Sequence, residues 1–166
     1  MTLMRTVTVT IIMLIALPNP SFTQSSSALP EADKDPFVGT WRANANESSP
    51  KLDKNEALYE RTISRVGDDV VFSSRTKRPV SFGFLEKHYR IRCDGLFHRV
   101  PCGNDSCTKS CIYKSANRIE GESTGADGKH YWTEEVSSDG REMRIYGYRD
   151  KDRRKLHRTE VLDRVK

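Results

Sequence analysis

Cys93, Cys102, Cys107 and Cys111 are the side chains of this 166-residue chain whose type and spacing most directly permit chemistry. They follow the pattern C-x8-C-x4-C-x3-C. Four thiolates can hold zinc tetrahedrally, but the C-x2-C knuckles of structural zinc sites are missing, and an even set favours disulfides in an oxidising compartment. Three connectivities are open. Pairing Cys93 with Cys111 and Cys102 with Cys107 is the nested one, cinching the excursion Asp94 to Ser110 at its base and near its tip. A loop stapled in this way is a candidate surface for another protein.

The remaining reactive side chains do not assemble into a catalytic pattern. His88, His98, His130 and His157 fall on separate expected strands, with no H-x-H or H-E-x-x-H grouping to hold a metal. Glu134 and Glu135 are adjacent, so on a strand they point to opposite faces and make a poor acid and base pair. No serine occupies a G-x-S-x-G elbow. The expectation is a protein that is not an enzyme and carries no cofactor or metal. Basic residues outnumber acidic ones between Arg141 and Arg158, but Asp150 and Asp152 interrupt them, and the stretch reads as a solvated hairpin tip rather than a nucleic-acid surface.

The elements that must position these residues are strands. Asp35 to Asn44, D-P-F-V-G-T-W-R-A-N, begins with a proline and runs into β-branched and aromatic residues, so it reads as the first strand. Trp41 would close one end of a core, with Phe37 on the same face, while Gly39 allows a close approach. Further strands are expected at Leu58–Val66, Val70–Thr76, Phe84–Cys93, Leu96–Val100, Lys109–Ser115, Arg118–Thr124, His130–Ser137, Glu142–Tyr148 and Lys155–Val165. Asp94-Gly95, Asp127-Gly128 and Asp139-Gly140 are tight-turn signals, because both central residues of a type I′ turn need positive φ.

A meander of eight to ten strands must curl shut or expose two edges, which points to a single all-β domain, an antiparallel up-and-down β-barrel. The polar segment Ala43 to Glu56 would be a loop over its mouth. Alternation puts Phe37, Trp41, Tyr89, Ile91, Phe97, Tyr131, Met143 and Ile145 inside, with Arg90, Arg92 and Arg144 outside. Such an interior either forms a small-ligand pocket or is filled by its own side chains.

Residues 1–23 are set apart as a signal peptide. A short basic start precedes the apolar run Val7–Leu17, which falls well short of the roughly 20 residues of a membrane span, and Ser21-Phe22-Thr23 supplies small residues for cleavage. Residues 24–34 read as a flexible linker that cannot bury enough apolar surface to order itself. Residues 35–166 then form the barrel domain of a secreted or periplasmic protein, expected to be a monomer. With 28 Lys and Arg against 23 Asp and Glu, the whole chain is mildly basic.

Asp35 to Trp41, together with V-S-S-D-G-R-E-M-R-I from Val136 to Ile145, resembles a family of small secreted bacterial proteins with lipocalin-like (calycin-type) β-barrels. The resemblance implies that Trp41 packs at the closed end under an arginine from near the last strand, Arg158 or Arg154. It also implies binding of a small apolar or amphipathic molecule. The residues expected to meet that ligand are Trp41, Tyr89, Ile91, Phe97, Tyr131, Met143 and Arg158. The alternative is an interaction or inhibitor module that uses the disulfide-stapled loop on another exported protein.

Overall fold

A computed structural model describes residues 30–52, 59–77, 84–102, 105–125 and 128–165. The expected signal peptide and the first part of the linker lie outside the described residues. Ten strands follow one another: β1 Gly39–Ala43, β2 Glu60–Val66, β3 Asp69–Lys77, β4 Phe84–Arg92, β5 His98–Cys102, β6 Asp105–Ser115, β7 Arg118–Gly125, β8 Gly128–Val136, β9 Glu142–Tyr148 and β10 Leu156–Arg164.

These strands form one antiparallel sheet in the order β4-β3-β2-β1-β10-β9-β8-β7-β6-β5. The first and last strands pair, Trp41 opposite Arg164 and Ala43 opposite Leu162, so the meander closes into a barrel everywhere except between β4 and β5. The up-and-down barrel expected from alternation is the fold that forms.

The Asp94-Gly95 signal marks a turn but not a hairpin. Gly95 does adopt positive φ, +82°, yet the strands on either side of it are the two edges of the sheet. A single bridge between Asp94 and Ile112 and a hydrogen bond from the Gly95 N–H to the Cys111 carbonyl (2.8 Å) hold the end of β4 to β6 instead. The Cys93–Cys111 disulfide makes the same connection covalently. Cys102–Cys107 joins β5 to β6 near their turn, so the nested pairing is the one present. Pairing of Val100 with Cys107 and Pro101 with Ser106 carries β6 out to Asp105, well before the expected start at Lys109.

The segment after β1 is described as far as Leu52. Its described part lies along β10: the Asn44 N–H donates to the Val161 carbonyl (2.7 Å), and Ser49 and Thr159 exchange backbone hydrogen bonds of 2.8 and 2.7 Å. The buried Ser48 hydroxyl accepts from the Val161 N–H at 3.0 Å. Residues 53–56 of that expected loop lie outside the described residues.

One end of the barrel is sealed. Phe37 and Trp41 are fully buried, and the Trp41 Nε1–H donates to the Phe37 carbonyl at 2.9 Å. Asp35 ties this corner together: Oδ1 accepts the Phe37 N–H (3.0 Å), and Oδ2 accepts from Arg65 (3.0 Å) and from the Tyr113 hydroxyl (2.6 Å). Phe37 meets Tyr113 edge-on, with centroids 5.9 Å apart. The cation over Trp41 is Arg164, its guanidinium carbon 4.1 Å from the ring centroid, and Arg164 also donates to the carbonyls of Val38 and Pro36.

The expected partners of Trp41, Arg158 and Arg154, are therefore corrected. Arg158 lies toward the other end of β10, paired with Glu160 at 2.9 Å, and Arg154 is exposed. Register decides this, since it sets Arg164 opposite Trp41 and Arg158 six residues away along the strand. Gly39 has φ +144°, and a Cβ there would collide with the Arg164 guanidinium. Its close approach is to that side chain.

Trp41→Ala is expected to lower stability by ~3–5 kcal/mol, the usual cost of truncating a fully buried tryptophan. Arg164→Met should cost ~2–4 kcal/mol, because it loses the cation–π contact and the charge-assisted bonds to the Val38 and Pro36 carbonyls while it keeps the stem. Denaturant midpoints at constant m-value check both.

Candidate functional site

The inward-facing rows change character along each strand. Near the sealed end they carry large apolar side chains: Ile63 on β2, Val70 and Phe72 on β3, Ile91 on β4, Ile119 on β7, Val136 on β8, Met143 on β9 and Leu162 on β10, all buried. Two residues further toward the open end, the same rows carry Arg61, Ser74, Gly121, Glu134 and Glu160. Small and polar residues cannot fill a barrel of this width. The result is a cavity of about 510 Å³ in the open half, within the roughly 300–1,000 Å³ typical of small-ligand sites.

Its wall is a series of contacts. Arg61 on β2 and Glu134 on β8 form an ion pair across the barrel, Nη1 to Oε1 2.8 Å, with both side chains more than nine-tenths buried. The Arg61 guanidinium lies 4.5 Å from the Phe72 ring centroid. Phe72 stacks on Tyr89 at 4.9 Å. Tyr89 in turn receives Lys109, whose Nζ is 4.2 Å from its ring centroid. Trp132 and Ile145 add apolar surface to the same cavity. Trp132 fits because its cross-strand neighbour is Gly121, where any Cβ would overlap the indole.

Burial and charge set the protonation of this wall. Burial works against the Arg61 cation, but the Glu134 carboxylate more than reverses it and holds Arg61 above its ordinary value. Burial pushes the Tyr59 and Tyr89 hydroxyls up, so both stay neutral. Lys109 moves the other way. Burial, with the positive charges of Arg61 and Lys87 against the opposing pull of Glu134, brings its ammonium down to about 8.

Two polar groups in this wall are left over. Among the described residues, Lys109 has no carboxylate at ion-pair distance. Glu134 uses Oε1 on Arg61, while Oε2 is buried with no hydrogen-bond partner, an arrangement that costs about 1–3 kcal/mol when nothing fills it.

Of the residues expected to meet a ligand, Tyr89 lines this cavity. Trp41 and Met143 face inward but are packed in the sealed half, and Ile91 borders a separate recess of about 400 Å³ with Asp69, Arg90, Arg92 and His98 at the β4–β5 gap. Three placements are corrected. Phe97 is 53% exposed, because it precedes β5 in the turn between the two edge strands. Tyr131 lies on the outer face, since Trp132, Glu134 and Val136 are the inward set of β8. Arg158 pairs with Glu160 rather than reaching Trp41. The sequence reading missed Arg61, Lys109, Glu134 and Trp132. The available signal was a pair of opposite charges, Arg61 and Glu134, at inward positions of otherwise apolar rows.

The antiparallel barrel has ten strands, nearly closed, against the eight of a lipocalin. Its solved neighbours include the fatty-acid-binding protein 1 of Echinococcus granulosus, with 10% identity, TM-score 0.55, 79% of this chain and 98% of that one covered. The Schistosoma mansoni fatty acid binding protein in complex with arachidonic acid has 13% identity, TM-score 0.55, and coverage of 80% and 98%. The wild-type fluorescent protein UnaG has 13% identity, TM-score 0.53, and coverage of 78% and 97%. At these identities the likeness is one of fold. No protein-family model matches the chain, and no curated protein matches its sequence.

The lowered Lys109 titration has a consequence for stability. Between pH 8 and 10.5 the unfolded chain holds a proton on Lys109 that the folded chain has released, so Lys109 penalises the fold fully below pH 8 and not at all above 10.5. Lys109→Met is expected to be more stable than the parent at pH 7 by ~1–2 kcal/mol, after discount for solvent screening. The difference should close between pH 8 and 10.5 in paired urea titrations.

Proposed function

We propose that this chain is an exported binding protein that holds a small amphipathic acid in the open half of its barrel, with the acid group on Lys109 and the apolar part against Phe72, Tyr89, Trp132 and Ile145. The observation that carries this reading is the Lys109 ammonium, set into an aromatic-walled cavity with no carboxylate at ion-pair distance among the described residues. A desolvated cation of this kind gains most from an anion that arrives with an apolar tail, because the tail excludes water and the charge restores what burial removed. Structural neighbours named for binding fatty acids support the ligand class and favour binding over catalysis. Export is supported by the apolar run Val7–Leu17 behind a basic start and by two disulfides.

A second reading is favoured by one surface observation. Leu96 is 65% and Phe97 53% exposed at the base of the stapled loop, beside the exposed Arg92 and Arg99. An apolar pair with basic neighbours is the anatomy of a contact patch on another protein. In that case Leu96→Ser with Phe97→Ser would lose a partner that the parent retains from the extracytoplasmic fraction, with acid binding untouched.

For the main reading, calorimetric titration of the mature protein with dodecanoate at pH 7 should give a saturable one-site isotherm. Lys109→Met is expected to weaken it ~10–100-fold, the loss of one charge-assisted hydrogen bond of about 1.5–3 kcal/mol. Affinity of the parent should fall as pH rises above about 8, where the free Lys109 loses its proton. The other charged groups that line the same cavity are Arg61 on β2, Lys87 on β4, Glu134 on β8 and Glu160 on β10. Absence of any binding heat at pH 7 would overturn the reading.

A further inference from the structure

Glu134 is the group in the cavity that an ordinary fatty acid cannot satisfy. Its side chain is more than nine-tenths buried, Oε1 is taken by Arg61 at 2.8 Å, and Oε2 meets no donor. An ionised carboxylate only accepts, so the group missing opposite Oε2 is an N–H or O–H. Arg61 reaches Oε1 alone, through Nη1, with its guanidinium lying over the Phe72 ring.

The unmet acceptor and the unmet cation belong to one wall. Glu134 touches Arg61, Arg61 covers Phe72, Phe72 stacks on Tyr89, and Tyr89 carries Lys109. Resting on the binding role assigned to this cavity, we propose that the ligand presents a hydrogen-bond donor to Glu134 Oε2 as well as an acid to Lys109. The cavity therefore selects amphipathic hydroxy acids or N-acyl amino acids over plain fatty acids of the same length.

The physical basis is selection by an unmet polar group. A site that places a buried acceptor where the ligand has a donor rejects the analogue that has a methylene there, because the acceptor then loses water and gains nothing. Both carboxylate oxygens turn together, and Oε1 is held by Arg61, so the ligand brings its donor to Oε2 where it stands. The converse also holds. Were Arg61 the receptor for the acid, Glu134 would have to leave it, exposing a second charge to a low-dielectric wall.

The test compares dodecanoate, 3-hydroxydodecanoate and N-decanoylglycine by calorimetric titration of the mature protein at pH 7. The two donor-bearing acids are expected to bind at least ~10-fold more tightly than dodecanoate. Glu134→Gln, which turns part of the acceptor into a donor, should erase that preference. Since this variant also removes the partner of Arg61, its thermal melt is recorded alongside, and the comparison on the parent protein stands without it. Equal affinities for all three acids on the parent overturn the donor assignment and leave the binding role in place. Silence from all three overturns both. A preference that survives in a folded Glu134→Gln protein overturns the assignment to Glu134.

Discussion

The interior of this barrel is organised by the ion pair of Arg61 and Glu134, because it joins strands that the sheet order keeps four places apart. β2 and β8 are separated by β1, β10 and β9, and their backbones never pair. The pair at 2.8 Å is thus a strut between opposite walls. Taking two charges out of water is expensive, and their attraction repays this only with good geometry and further contacts. Phe72 supplies one such contact to Arg61. Breaking either partner would leave an uncompensated charge against the packed half, so the strut fixes the depth at which packing stops and the hollow begins.

The sealed end makes that hollow one-sided. Trp41 and Phe37 fill the floor, and Arg164 reaches from the last strand over the indole to the chain before the first. Asp35, Arg65 and Tyr113 tie the entering chain to β2 and β6. Burial and the Asp35 carboxylate both push the Tyr113 hydroxyl up, so it remains a donor at any ordinary pH. The first and last strands are thereby joined by side chains as well as by pairing. The gap between β4 and β5 is bridged by the Cys93–Cys111 disulfide rather than by a ladder.

Strand existence, the barrel and the nested cysteines were legible because each rests on local pattern. Alternation placed Tyr89, Ile91, Met143 and Ile145 inward and Arg90, Arg92 and Arg144 outward, as in the fold. On β8 the same rule had two self-consistent solutions, since Tyr131-Trp132 and Glu134-Glu135 are adjacent residues of like kind. Choosing between them needs the knowledge that Glu134 meets Arg61, a contact between residues far apart in sequence. Arg164 was hidden for a related reason. The last strand could be recognised from its residues, but which of its arginines lies opposite Trp41 is a matter of register across β1 and β10, fixed only when the barrel closes.

The hollow itself is written in residue size, and less visibly than a core. Along β7 the inward row reads Ile119, Gly121, Ser123, and along β3 it reads Val70, Phe72, Ser74, Thr76. Each row shrinks or turns polar at the same level, on strands from different parts of the sheet. A failed core would show such residues scattered; here they coincide around one cavity, opposite two aromatic walls. Gly121 is also needed to admit the Trp132 ring, so the smallest residue of the row positions the largest apolar side chain of the site. The polar members then have a reason beyond size. Among the described residues this wall holds a cation with no carboxylate at ion-pair distance and a carboxylate oxygen with no donor, an arrangement poorly matched to water-free packing.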